Sequence, residues 1–321
     1  MEVLELVDPA RRRWDGTGPR PVRTYVWRPP AERPPLALLS HGHGGHAREL
    51  GWLAEALVAT GFAVAAPEHH GCTANDEVPE GFAFGWERAR DLSFVLDHLD
   101  DVSMQETVAV GNSGGAYAVA ALLGARLDRD VYQGLMAAES ELRTELLRRN
   151  PDLLSDDLLA AATASYADDR VTAAFLMAPV LGTMLDRRSL SAIDKPVRIR
   201  WGEADDIAPP GENALVYLDA IPGATGESLP CGHLEFSGDI DDPRDIRGQV
   251  AAEVVAFVRG VAPYPASGRS TWRPPHVKGG EVNRSKQRSG CCRVGEQFVE
   301  GGGGPGEPIV GRKIEARRGR R

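Results

Sequence analysis

The sequence predicts an α/β protein with a mainly parallel central sheet and helices on both of its faces. Eight short β-rich runs, helical patterns between most of them, and one Gly-rich turn from strand to helix at 111–115 carry that prediction. The runs at 3–7 and 22–27 alternate and precede any helical pattern, so they are expected to form an antiparallel hairpin at one sheet edge. The remaining strands are expected near 36–39, 62–66, 107–110, 171–177, 197–201 and 225–229. Helical spacing occupies 48–59, 86–99, 115–125, 215–221 and 245–261. Two further helical patterns, 132–149 and 155–166, follow one another with no strand between them. They read as an acidic insertion at about 130–168, broken near Asn150-Pro151 and suited to a lid.

Charge divides the chain more sharply than its net value of -9 suggests. Residues 263–321 hold 13 Lys/Arg against 5 Asp/Glu, leaving 24 against 41 in residues 1–262. That tail also carries 12 of the 36 glycines and no sustained apolar periodicity, so it is expected to be a disordered basic appendix to one folded acidic body at 1–262. The acidic body repels phosphate, which argues against nucleic acid or an anionic membrane as its partner. The first residues show no basic end followed by an apolar run, so no secretory signal is expected. The uncharged stretch 108–125 is long enough to consider as a membrane span, but its glycines suit a strand-turn-helix better. Cys72 and Cys231 lie in the body and Cys291 and Cys292 in the tail, with no zinc-type spacing. Free thiols of a cytoplasmic protein are the expectation, over a Cys72–Cys231 bridge.

The chemistry is concentrated in four segments. Gly111-Asn112-Ser113-Gly114-Gly115 is a G-x-S-x-G motif in its strand-turn-helix setting, where glycines two residues either side of the serine permit a very tight turn. Such a turn lifts Ser113 Oγ above the strand ends and aims the Gly114 N–H at a developing oxyanion. Ser40-His41-Gly42-His43-Gly44-Gly45 follows an earlier strand and offers the His43 N–H as the second oxyanion donor. Downstream, Gly202-Glu203-Ala204-Asp205 leaves a carboxylate just past a strand, with Asp206 as the neighbouring alternative. Cys231-Gly232-His233 then supplies a histidine after the last strand. The order Ser113, Asp205, His233 is the hydrolase order: the imidazole takes the serine proton, and the carboxylate fixes its tautomer.

On these residues the body resembles the α/β-hydrolase fold, and is most similar to dienelactone-hydrolase-like and platelet-activating-factor-acetylhydrolase-like esterases. The resemblance runs through Asp8-Pro9-Ala10-Arg11, Trp27-Arg28-Pro29, SHGHGG at 40–45, PEHHG at 67–71, RARDLSFVLD at 88–97, GNSGG, GEADDIAP and GHLEF. It covers nearly all of 1–262 and none of the tail. It implies a serine hydrolase acting on small to medium esters, with no cofactor. The chain departs from the family pattern in three ways. Asn112 and Gly114 flank the serine where His and a bulkier residue are frequent. The nucleophile is serine, whereas true dienelactone hydrolases use cysteine. The stretch 175–180 lacks the carboxylate of the acetylhydrolase branch, so Asp205 is taken as the acid.

Several rival readings are weighed against this one. His41, His43 and His46 have an H-x-H-x-x-H spacing that could serve a zinc hydrolase, with His69, His70, His98 or Asp97 as further ligands; the oxyanion-loop reading also explains the glycines. The same triad would serve an amidase or peptidase, and a non-catalytic binding protein of the same fold would normally lack a triad member. His69 and His70 read as loop hydrogen-bonding residues, and Arg88, Arg90 and Asp91 as surface or strut ion pairs. Trp86, Met177, Leu181, Met184 and Phe236 suit either an acyl pocket or the core. Edge strands and the insertion offer surfaces for a homodimer.

Overall fold

A computed structural model describes residues 1–152 and 155–261, with residues 104–106 described by their backbone alone. The expected tail at 263–321 lies outside the described residues. Strands β1 (Glu2–Arg12) and β2 (Pro19–Trp27) form the antiparallel hairpin, followed by β3 (Pro35–Ser40), α1 (Gly51–Val58) and β4 (Ala63–Pro67). A two-residue-per-strand hairpin, β5 (Cys72–Thr73) with β6 (Asp76–Glu77), then leads to α2 (Pro79–Ala83) and α3 (Trp86–Leu96). The chain continues through β7 (Ser103–Asn112), α4 (Gly114–Leu122), α5 (Arg129–Ala137), α6 (Glu141–Arg149) and α7 (Asp156–Thr163). It closes with β8 (Val171–Met177), α8 (Arg187–Ser191), β9 (Val197–Gly202), α9 (Ala214–Ala220), β10 (Thr225–Leu229) and α10 (Ile246–Val261).

The eight-stranded sheet has the order β1-β2-β4-β3-β7-β8-β9-β10. Only the β1–β2 and β2–β4 pairings are antiparallel; all others are parallel. This is the α/β-hydrolase fold. Strand β3 is buried at every position because helices cover both faces. Ala37 and Leu39 point toward the layer of α1 and α10, where they join Leu53, Leu57, Val250 and Val254, while the alternate residues Leu36 and Leu38 face the other way. The uncharged stretch 108–125 is the end of β7 followed by α4, and among the described residues no helix is long and apolar enough to cross a membrane.

The insertion differs from expectation in one respect. The single helix expected over 132–149 is two, because Ala138 leaves the helix in an extended conformation and Ser140 starts a new one by accepting the Arg143 N–H at 3.0 Å. Ser155 caps α7 in the same way. The insertion is tethered through α6, whose Arg149 Nε donates to Glu80 of α2 at 2.7 Å.

The N-terminal hairpin is fastened to the parallel core by charge. Asp91 on α3 is fully buried; Arg20 of β2 donates to both of its oxygens at 2.8 and 3.0 Å, and Arg11 of β1 lies 2.7 Å away. His69 Nδ1 is 3.0 Å from the same carboxylate, and its Nε2 is 2.9 Å from Ser40 Oγ at the end of β3. Asp91 is thus an interior strut and not a surface ion-pair residue. Burial pushes its carboxyl up, but Arg20, His69 and Arg11 outweigh this and hold it well below the usual carboxylate range. Because the folded-state value is depressed, the resulting stability is present above the unfolded value and is lost as pH falls. Asp91→Asn is therefore expected to cost about 3 kcal/mol in urea unfolding at pH 7. That difference should narrow as pH drops through the carboxylate range.

Candidate active site

A tight backbone turn lies at the end of β7. Ser113 adopts φ 53° and ψ −119°, a left-handed conformation that costs a non-glycine residue about 1–3 kcal/mol. Its N–H donates to the Met177 carbonyl at 2.9 Å, which anchors the turn to β8. A Cβ on Gly111 would lie 2.2 Å from the Gly115 carbonyl oxygen, and one on Gly115 would lie 2.1 Å from the Ser40 carbonyl oxygen. The glycines at these two positions are thus required by close backbone approach. Gly114 is different, since a Cβ there would meet only the Arg88 guanidinium at an ordinary 3.5 Å.

Asp205 and His233 follow β9 and β10, the two strands that lie beyond β8 at the far edge of the sheet. Glu203 N–H donates to the Leu229 carbonyl and Ala204 N–H to the Cys231 carbonyl, at 2.8 and 3.0 Å, so the loops after β9 and β10 are zipped together. Gly202 permits the approach, as a Cβ there would lie 2.4 Å from the Gly232 carbonyl oxygen. Asp205 is buried, and its Oδ1 accepts from the Ile207 and Ala208 N–H groups at 3.2 and 2.7 Å. Its Oδ2 lies 2.7 Å from His233 Nδ1, and His233 Nε2 lies 2.9 Å from Ser113 Oγ. The carboxylate can only accept, so the His233 proton sits on Nδ1 and Nε2 faces the serine as an acceptor. Asp206, the neighbouring alternative, is exposed and outside this line.

The loop after β3 packs against the serine turn. Gly42 faces it, since a Cβ on Gly42 would be 3.5 Å from Ser113 Cβ. The Gly42 carbonyl accepts from His41 Nδ1 at 2.7 Å and from Arg88 Nη2 at 3.3 Å. In a trans peptide the following N–H points the opposite way, so the His43 N–H is directed away from these donors. Gly114 is the first residue of α4, where the N–H has no partner within the helix. Glu49 Oε1 accepts the Gly42 N–H at 3.3 Å, and Ser237 Oγ donates to its Oε2 at 3.4 Å. One buried carboxyl therefore spans this loop and the segment after His233. Burial pushes that carboxyl up.

The imidazoles of the 41–46 cluster are each engaged elsewhere. His41 uses Nδ1 on Gly42 O and Nε2 on the His69 N–H, His43 Nδ1 lies 2.7 Å from Cys72 Sγ, and His46 Nε2 lies 3.0 Å from Asp239. Burial, with help from His69 and Arg88, keeps His41 far below its ordinary value; burial and then Arg88 bring His43 down to about 3. Among the described residues no three His, Cys, Asp or Glu side chains converge as a metal would require.

Cys72 and Cys231 are both buried free thiols. Burial, then Glu235 and Asp205, push Cys231 up to about 12. Trp86, Met177 and Phe236 belong to the core, whereas Leu181 and Met184 are half-buried. His69 is a buried link between Asp91 and Ser40, and His70 holds Asp76 at 2.6 Å. Sequence reasoning missed Glu49 and the central position of Arg88. It took Arg88 for an ion-pair residue, but its donors go to two carbonyls and a sulfur, while Arg90 pairs with Glu87 at 2.7 Å.

No family model matches the chain, and no curated protein does. Among solved structures it is similar to a predicted CIB-like hydrolase from Thermoplasma acidophilum at 16% identity and TM-score 0.47, covering 81% of this chain and 99% of that one. It is also similar to two structures of Est1E from Butyrivibrio proteoclasticus. One, with ferulic acid bound, is at 14% identity and TM-score 0.48, covering 75% of this chain and 95% of that one. The other is at 15% identity and TM-score 0.46, covering 75% and 94%.

The two kinds of glycine in the turn can be told apart by experiment. Gly115→Ala is expected to destabilise the protein by 2 kcal/mol or more, to the order of magnitude of a forced backbone clash, roughly 2–4 kcal/mol. Gly114→Ala should melt at or above the wild-type temperature, since alanine is the better helix former. Thermal unfolding followed by circular dichroism reads both.

Proposed function

We infer that this protein is a serine hydrolase that cleaves carboxylic esters of small to medium substrates, with the activity residing in residues 1–262. The observation that carries the reading is the unbroken line from Ser113 Oγ to His233 Nε2 at 2.9 Å and from His233 Nδ1 to Asp205 Oδ2 at 2.7 Å. Serine alone is a weak nucleophile; an imidazole at hydrogen-bond distance, oriented by a buried carboxylate, is what activates it. Ser113 Oγ attacks the ester carbonyl as its proton passes to His233 Nε2. The tetrahedral oxyanion is held by the N–H groups of Gly114 and His43, whose peptides are fixed by the α4 terminus and by the Gly42 carbonyl contacts. Collapse breaks the acyl–oxygen bond, and the leaving alkoxide takes the proton from His233. Water, deprotonated by His233, then attacks the acyl-enzyme, and Ser113 recovers its proton as the acid is released. Asp205 stabilises the imidazolium in both halves, and no cofactor takes part.

Wild-type protein should be labelled by a fluorophosphonate probe and Ser113→Ala should not; persistent labelling of the variant would refute the assignment. Asp205→Asn should retain the fold and lose roughly 10⁴ in kcat, because the wrong tautomer of His233 is then favoured. An ester series graded by acyl length, run beside a lactone and an anilide, sets the substrate class. Steady preference for the anilide would make the enzyme an amidase.

A further inference from the structure

Arg88 is among the most buried cations of the protein, at 3% exposure, and the triad chemistry leaves it without a role. It projects from the first turn of α3 into the space where three backbones meet. Its Nη1 donates to the His41 carbonyl at 2.6 Å, and its Nη2 donates to the Gly42 carbonyl at 3.3 Å and to Cys72 Sγ at 2.7 Å. Nη1 also lies 3.5 Å from where a Cβ on Gly114 would stand, so the guanidinium rests against the first residue of α4. One side chain thus holds the His41 and Gly42 carbonyls and stands beside the Gly114 turn.

We propose that Arg88 is a positioning residue for the oxyanion hole, holding the 41–43 loop in place beside the Gly114 turn and setting a fixed positive charge behind it. This proposal rests on the esterase reading. Three features of the surroundings support it. First, a rigid planar fork of donors fixes the angle at which two successive carbonyls are held, which the three freely rotating donors of a lysine ammonium do not. Second, with the His41 and Gly42 carbonyls drawn toward Arg88, the intervening peptides have little freedom, and the His43 N–H that follows inherits that orientation. Third, the charge is felt by its neighbours: after burial, Arg88 contributes to the lowered values of His43, His41 and His69, so these three imidazoles stay neutral.

Cys72 completes the arrangement. Its sulfur accepts from Arg88 Nη2 and lies 2.7 Å from Nδ1 of neutral His43, while the Gly44 N–H donates to the Cys72 carbonyl at 3.1 Å. The side chain of His43 is thereby tied to the same guanidinium that orients its backbone.

The test compares wild type with Arg88→Met and Arg88→Lys on an aryl ester and on a trifluoromethyl ketone. Ser113 Oγ adds to the ketone carbon, and its proton passes to His233 Nε2. The adduct carries an oxyanion that the ground-state ester lacks. Arg88→Met is expected to lower kcat about 100-fold with KM within about threefold, and to weaken the ketone by about the same factor as kcat. Arg88→Lys keeps the charge but not the fork, and an intermediate loss of about tenfold in kcat is expected; if the Met variant does not fold, the Lys variant decides alone. A folded variant with kcat within twofold of wild type would overturn the proposal. So would a lowered kcat with unchanged ketone affinity, which marks a purely structural role. Wild-type protein that neither turns over esters nor accepts a fluorophosphonate on Ser113 would instead refute the esterase reading itself.

Discussion

The site depends on one steric constraint: the ends of β3 and β7 approach so closely that Gly115 has no room for a side chain against the Ser40 carbonyl. Neighbouring parallel strands bring their carboxyl ends to the same sheet edge. Here the approach continues past the last ladder pair, Ser40 with Gly111, into the turns themselves. The Ser113 turn must then reverse within a single residue, at the cost of a left-handed serine, and α4 must begin at once. The half-buried serine hydroxyl and the first N–H of the helix, which has no partner within the helix, both follow from that reversal. So does the seating of the 41–43 loop directly beside them.

The other half of the site is set by a second close approach, between the loops after β9 and β10. Asp205 and His233 come from neighbouring strands whose exits are cross-linked by backbone hydrogen bonds, so their 2.7 Å contact needs little further adjustment. Glu49 joins the two halves by touching both the Gly42 N–H and Ser237. Behind the site, charges are buried in compensated groups. Asp91 lies among two arginines and His69, and Arg88 among carbonyls and a sulfur, so most of the buried charge behind the reacting edge is paired, with Arg11 Nη2 and Asn112 Oδ1 left without hydrogen-bond partners among the described residues.

What could be read in the sequence was whatever depends on local pattern. The alternating runs and helical spacings locate all eight main-sheet strands, because a strand buried on both faces must be apolar throughout and a covering helix must carry a stripe. Ser113, Asp205 and His233 stand out because their turns require small residues and short spacings. The split of the insertion at Ala138–Ser140 was missed, since the apolar spacing of α5 runs on into α6 and only a capping serine divides them. The small β5–β6 hairpin and α2 were missed because they are too short to show periodicity. The Asp91 network joins positions 11, 20, 69 and 91, and Arg88 meets residues 46 and 47 positions earlier. Such pairings arise from topology, and one chain read by itself has no local signal for them.

The central claim is that an acyl group passes through Ser113. Rapid quenching of the full chain during turnover of an aryl ester, followed by peptide mapping by mass spectrometry, tests it most directly. The account predicts the acyl mass on the peptide containing Ser113, and its loss on further incubation in water. Turnover with the acyl group found instead on Cys72, Cys231 or His43, or with no adduct at any time, would contradict it.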